Sequence, residues 1–317
     1  MSDESLFRSG LLVVKELLRW PWRSRSAAER IEPLSSGDST EQLCDIAQDP
    51  QVPQFTWLGG GTVLLQLGLR RVLVDPVAPH RPWWRGGSRG RGWKPAWKGV
   101  EPLDVIVLTH RARMDSRLLQ STSKKTPVVV PTGLGRDICR QGFDQVIELA
   151  AGEQFASGDL DVTALPTPFV FGRRLRSAWG VNVATWGGLS VQLAGKCPQD
   201  ATGQTFWFLR HSREHQRGLE RLAGLGARPD VVLVLLDDQK AVWLTGRQGM
   251  MPEMAVETFR SVGGRVFVPL GAVSTQDASG RETLVTRIRS LWEARKPPGS
   301  TLLLPQFGEA VAVPVHR

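Results

Sequence analysis

From Gln54 onward, apolar residues arrive in short runs broken by glycine, proline and polar residues. Phe55–Leu58, Thr62–Leu67 and Arg71–Val74 are separated by Gly59-Gly60-Gly61 and by Gly68. They predict successive antiparallel strands joined by tight turns, because glycine accepts backbone angles closed to other residues. Leu103–Leu108, Pro127–Val130 and Val146–Leu149 predict three further strands, and Leu160–Leu165, Val181–Ala184 and Leu189–Leu193 a second cluster. Thr205–Leu209, Val231–Leu235, Ala241–Thr245 and Arg265–Pro269 then alternate with helical stretches at His215–Leu225, Pro252–Val262 and Asp277–Ala294. The last helix is expected to open on acidic Asp277 and Glu282 and to close on Arg295 and Lys296, as a helix dipole favours. Two groups of strands with helices between and after them predict two packed sheets covered by helices.

Ahead of this region, Leu6 to Trp20 has helical apolar spacing that Pro21 ends. Its arginines, Lys15, Trp20 and Trp22 suit an interfacial helix on an anionic membrane; the preferred reading packs the helix against the main domain. Residues 24–53, with Ser36-Gly37-Asp38-Ser39-Thr40, read as a linker holding one short helix around Glu41–Ile46. The organisation expected is therefore an N-terminal helix and linker over 1–53 and a single domain over 54–317. Met1 to Ser5 are polar and acidic, unlike the basic start of a secretion signal.

A chain of 317 residues buries roughly 75% of its extended surface on folding, enough for a substantial core. With 41% hydrophobic and 22% charged residues, it is neither disordered throughout nor fibrous. No run approaches the length of an uncharged membrane span. Forty basic against 31 acidic side chains leave +9, which fits an acidic protein, an anionic membrane or nucleic acid without choosing among them. Cys44, Cys139 and Cys197 are odd in number and widely spaced, which points to a reducing, cytoplasmic setting, with peripheral membrane attachment as a variant. Twelve tryptophans beside no tyrosine have no physical explanation here.

Local motifs narrow the fold. Phe55-Thr-Trp-Leu-Gly-Gly-Gly-Thr-Val-Leu-Leu65, Arg71-Val-Leu-Val-Asp-Pro76 and Pro102-Leu-Asp-Val-Ile-Val-Leu-Thr-His110 resemble, in that order, the opening of metallo-β-lactamase-fold proteins. The resemblance is nearest to the branch of lactonase-like and phospholipase-D-like hydrolases. Ala184-Thr-Trp-Gly-Gly188 and Pro252-Glu-Met-Ala-Val256 continue it, and it runs from about Gln54 to Gly271 with an echo at Pro305–Glu309. It implies an α/β fold, the four-layer αββα sandwich of the metallo-β-lactamase type.

That family carries an HxHxDH loop after the strand that ends here at Thr109. This chain reads His110-Arg111-Ala112-Arg113-Met114-Asp115. On the resemblance, His110 keeps the first histidine, Ala112 replaces the second, Met114 replaces the aspartate and Asp115 the last histidine. Gly60 stands for the glycine-histidine pair, Phe169 and Phe171 lie where the middle histidine belongs, and His211 falls at the bridging aspartate. Met251 and Pro269 occupy the last two ligand regions. Zinc hydrolysis needs three protein ligands and an open position, so that bound water is acidified; this set is degenerate. A substitute cluster of His110, Asp115, His211 and His215 is the remaining metal arrangement, opposed by Arg210, Arg213 and Arg217.

Between the early strands and the degenerate loop lies a basic, tryptophan-rich segment. Trp83, Trp84, Trp93 and Trp97 alternate with Arg85, Arg89, Arg91, Lys94 and Lys98, and no acidic residue intervenes from Arg81 to Lys98. Arginine pairs with carboxylate or phosphate, and tryptophan supplies area for stacking; the alternative is a loop folded down over the domain. Arg173, Arg174 and Arg176 form a second patch that, with Arg111, Arg113 and Arg210, makes either a pocket for a small anionic ligand or a set of partners for Asp75, Asp104 and Asp115. Asp75 itself is read as a cap for local backbone donors. The function expected is a noncatalytic scaffold, regulatory or interaction subunit without a cofactor and with a protein partner. A divergent metal-dependent hydrolase of a lactone, phosphodiester or phospholipid competes with it, as does an adaptor for RNA or an anionic membrane.

Overall fold

The computed structural model describes residues 52–58, 61–76, 100–109, 116–165, 188–193, 204–209, 228–236, 250–270, 278–306 and 308–313. The chain divides into two compact units, Met1–Ser36 and Gly37–Arg317, and every described residue belongs to the second.

Its first sheet holds β1 (Gln54–Trp57), β2 (Val63–Leu67), β3 (Arg70–Val74), β4 (Val105–Val107), β5 (Val128–Pro131), β6 (Val146–Leu149) and β14 (Ala310–Ala312), in the order β14-β1-β2-β3-β4-β5-β6. The β1–β2 and β2–β3 pairs are antiparallel, and Gly68 supplies the positive φ of 61° that the second turn requires. From β3 to β6 the pairing is parallel, with Val72 opposite Val105 and Ile106 opposite Val128. The second sheet holds β7 (Gln154–Ser157), β8 (Leu160–Leu165), β9 (Gly188–Leu193), β10 (Thr205–Leu209), β11 (Val231–Leu235), β12 (Val266–Leu270) and β13 (Thr301–Leu302), in the order β13-β12-β11-β10-β9-β8-β7. It is antiparallel from β7 to β10 and parallel from β10 to β13.

Alternation along each strand sorts the core into three layers of apolar contact. Val105 and Val107 point between the sheets, where they join Phe55, Leu65, Phe206, Phe208 and Val268. Ile106 and Leu108 point outward to Leu119 and Ile138, carried by the helices α1 (Ser116–Ser121) and α2 (Gly135–Cys139). On the far side, Trp207 and Leu209 meet Phe259 of α3 (Pro252–Val262) and Trp292 of α4 (Ala278–Arg295). The order is helix, sheet, sheet, helix, so the expected α/β four-layer sandwich is the observed one. Continuous valine and isoleucine runs suit parallel strands buried on both faces.

Differences from the sequence reading have local causes. Strand β7 alternates exposed and half-buried positions and is too polar to stand out. The two- and three-residue β13 and β14 are too short for a period, and α1 and α2 span only six and five residues. Helix α4 is described from Ala278 and has no acidic residue in its described first turn; Arg295 complements its carboxyl end, and Asp277 lies outside the described residues. The expected strands Val181–Ala184 and Ala241–Thr245 and the helices at 6–20, 41–46 and 215–225 lie outside the described residues.

Candidate functional site

A single arginine establishes how the two sheets are oriented. Arg70 opens β3; its Nη1 donates to Asp104 at 2.9 Å and its Nε to Asp159 at 2.6 Å. Asp104 directly precedes β4 and Asp159 directly precedes β8. The amino ends of β3, β4 and β8 therefore share one pole. Since β10 to β13 run in the direction of β8, the carboxyl ends of the parallel strands in both sheets face the opposite pole. Seven segments outside the described residues follow strand ends there: 59–60 after β1, 77–99 after β3, 110–115 after β4, 166–187 after β8, 210–227 after β10, 237–249 after β11 and 271–277 after β12. Carboxyl ends of strands are where open α/β sheets bind ligands. The sandwich thus brings to one end the strand ends that lead into the tryptophan-rich segment, the His110–Asp115 segment and the second arginine patch.

Asp75 anchors two of those starting points. It is buried, sits just past β3, and accepts the backbone N–H of Thr109 on Oδ1 and the Thr109 hydroxyl on Oδ2, both at 2.7 Å. Its own carbonyl accepts the Thr62 hydroxyl at 2.7 Å, and its N–H donates to the Val107 carbonyl at 2.8 Å. The φ of 48° places Asp75 in the left-handed region that aspartate tolerates better than most residues. The cap expected for Asp75 was for local donors; the backbone donor it accepts from is Thr109, 34 residues on and two residues past β4. Thr109 and Thr62 escaped the sequence reading; the polar residue that closes each apolar run was the available signal.

Two of the ten degenerate-site positions fall among described residues. Met251 is the N-cap of α3, partly exposed, with a thioether that makes no capping hydrogen bond. Pro269 is buried inside β12 opposite Val234, one residue before the strand ends. Strand β13 pairs with β12 only through Val266 and Phe267, so the missing proline N–H falls on an edge that no described strand occupies. Gly60, His110, Ala112, Met114, Asp115, Phe169, Phe171 and His211 lie outside the described residues, as do Trp83, Trp84, Arg85, Arg89, Arg91, Trp93, Lys94, Trp97 and Lys98. The expected pairing of Asp104 with arginines at the mouth is corrected: Asp104 is at the opposite pole, bonded to Arg70 and to the Arg71 N–H at 2.8 Å.

The sequence profile described as "Beta-lactamase superfamily domain" matches residues 70–271, more than half of the chain. The chain belongs to the beta-lactamase superfamily. No curated protein matches it. Among solved structures it is similar to an isothiocyanate hydrolase from Delia radicum gut bacteria (18% identity, TM-score 0.56, covering 82% of this chain and 98% of that one). It is similar also to CmlA, a diiron β-hydroxylase from Streptomyces venezuelae (16% identity, TM-score 0.54, 80% of this chain and 53% of that one). A third is a metallo hydrolase from the archaeon Ignicoccus hospitalis (15% identity, TM-score 0.51, 84% and 100%). Likeness at these identities concerns the fold.

The beta-lactamase superfamily implies a metal, and the described residues bring together no donor set that fits one. Thr109, held by Asp75, marks where the histidine loop begins, and its next six residues offer one imidazole and one carboxylate among two arginines, an alanine and a methionine. Met251 and Pro269, the two described positions that the resemblance assigns to ligand regions, offer a thioether and no side-chain donor atom. Among the described residues no three His, Cys, Asp or Glu side chains gather closely enough to hold a metal ion.

Proposed function

We propose that this chain is a noncatalytic member of the beta-lactamase superfamily that serves as a scaffold or regulatory subunit of a larger assembly. One observation carries the reading. The Asp75–Thr109 clamp holds together the ends of two strands of the superfamily fold, while the six residues that follow Thr109 offer only one histidine and one aspartate. A frame kept without its chemistry fits a protein whose loops bind rather than react. Segment 81–98 follows in sequence from the β3 end at that pole and supplies the contact chemistry: tryptophan for desolvated area and arginine for acidic groups, as at protein hot spots. The partner chemistry favoured is a protein surface rich in carboxylates.

The test is recovery of partners from the native host by the intact chain and by the Trp83→Ala, Trp84→Ala, Arg85→Ala, Arg89→Ala variant. Loss of a defined partner with an unchanged melting profile supports the reading. Recovery of the same partners at the same level sinks the site assignment.

The second reading, a divergent metal-dependent hydrolase, draws on the metallo hydrolase and the diiron hydroxylase among the similar folds. It requires His110, Asp115 and His211 to hold a cation despite Arg111, Arg113 and Arg210. Stoichiometric metal in protein purified without chelator, removed by His110→Ala, would put it first.

A further inference from the structure

The division of the chain after Ser36 singles out a segment that the scaffold reading leaves without a task. At about 100° per residue, a helical projection of residues 5–20 is two-sided. Leu6, Phe7, Val14, Leu17 and Leu18 fall within one half of the circumference, and Arg8, Lys15 and Arg19 with Ser5, Ser9 and Glu16 fall on the opposite side. Leu12 is the one apolar residue on that polar side. Trp20 stands at the boundary between the faces, and Trp22, Arg23 and Arg25 follow Pro21. Between residues 6 and 25 five basic side chains face a single acidic one, Glu16.

Three physical features point the same way. The apolar stretch is too short for a membrane span, which needs roughly 20 residues, yet its hydrophobic face is wide. Tryptophan at the border between apolar and polar faces favours the headgroup layer of a bilayer. The flanking charge has the sign that attracts anionic headgroups, each basic residue adding to the attraction. A helix that packs on a protein core needs no tryptophan-arginine collar. The unit boundary at Ser36 also lies within the serine- and glycine-containing run 36–40, a composition suited to a linker.

We propose that residues 5–25 form an interfacial anchor that places the sandwich on a bilayer surface bearing anionic lipid headgroups. This goes beyond the scaffold reading and does not depend on it, because the anchor and the 81–98 loop are different segments tested by different variants.

The experiment is co-sedimentation of the full chain with phosphatidylcholine vesicles, with and without phosphatidylglycerol, at low and high salt. The intact chain pellets with the anionic vesicles and is released by salt. Val14→Glu with Leu17→Glu abolishes binding. Arg8→Gln, Lys15→Gln and Arg19→Gln together, which touch only the polar side, weaken it about tenfold or more. The Trp83→Ala, Trp84→Ala, Arg85→Ala, Arg89→Ala variant binds vesicles as the intact chain does. The polar-side variant keeps the test decisive if the apolar-face variant fails to fold. Absence of vesicle binding, equal binding to neutral vesicles, or loss only in the 81–98 variant overturns the proposal; a lost protein partner in that last variant bears on the scaffold reading alone.

Discussion

Asp75 and Thr109 meet across the carboxyl ends of two adjacent parallel strands, with both oxygens of the one gripping the N–H and hydroxyl of the other at 2.7 Å. The pair ties a residue two positions before the 77–99 segment to the residue directly before the 110–115 segment. Both ends are buried, so water cannot replace the bonds. Asp75→Ala should lower stability by about 2–4 kcal/mol, since it removes a charged acceptor and strands a buried N–H. Asp75→Asn keeps an acceptor for that N–H and tolerates the left-handed φ, and should recover roughly half of the loss. Urea unfolding midpoints at constant slope measure both; equal stability of all three proteins refutes the clamp.

Arg70 links three elements, but its guanidinium and both carboxylates are about one third exposed, so the link is screened. Hydrogen bonds to Asp104, then to Asp159, raise its pKa above the ordinary guanidinium value. A raised pKa contributes stability that is complete below the unfolded pKa and is lost only as pH climbs through the higher folded value. Arg70 deprotonation therefore adds no pH dependence near neutrality. Arg70→Gln should cost about 1 kcal/mol or less, and the difference should shrink in high salt. A cost that grows with salt contradicts the ion-pair account.

Lys124 has the opposite electrostatics. Its Nζ donates to the Leu119 carbonyl and lies 4.1 Å from the centre of the Phe143 ring, and partial burial pushes its pKa below 10.5. Between the folded pKa and 10.5 the unfolded chain binds more protons than the native one, so stability rises with pH across that window. Lys124→Met should flatten the rise, read as thermal midpoints over a pH series. A slope unchanged by the substitution removes Lys124 as its source.

Gly264 follows α3 at the turn into β12, where Gly263 takes the left-handed φ of 68° that closes the helix. A Cβ on Gly264 would stand 2.5 Å from Cγ2 of Val232 and 2.9 Å from the Phe259 ring. Phe259 is itself wedged against Phe267 and Trp292, with centroids 5.1 and 5.3 Å away, and has little room to yield. Gly264→Ala should cost about 1–3 kcal/mol by overpacking, and Phe259→Ala about 3–5 kcal/mol by the cavity it leaves. Chemical denaturation separates them. A neutral Gly264→Ala would mean that the sheet-helix layer is looser than these distances.

The strand runs with strong apolar content, such as Val128–Pro131, Thr205–Leu209 and Val231–Leu235, were readable because burial on both faces forces continuous valine, leucine and phenylalanine. Helix α3 was readable from Pro252 at its start and Gly263 past its end. Strand β7 was not, because an edge strand with alternating exposure carries polar residues that look like loop. Of the site, the replacement of ligand residues after Thr109 was legible in order alone. The wrong expectation for Asp104 arose because sequence distance does not say to which end of a strand a charge belongs.

Residue order alone determined which side chains follow each strand, and hence that Ala112 and Met114 are among the six residues after Thr109; chemical identity needs no folding to be read. Only the tertiary structure decided which strand ends share a pole. That depends on Arg70 reaching Asp104 and Asp159, 34 and 89 residues away, and on Thr109 closing onto Asp75 across 34 residues. Contacts at such separation are set by the packing of two sheets, and no local pattern encodes them.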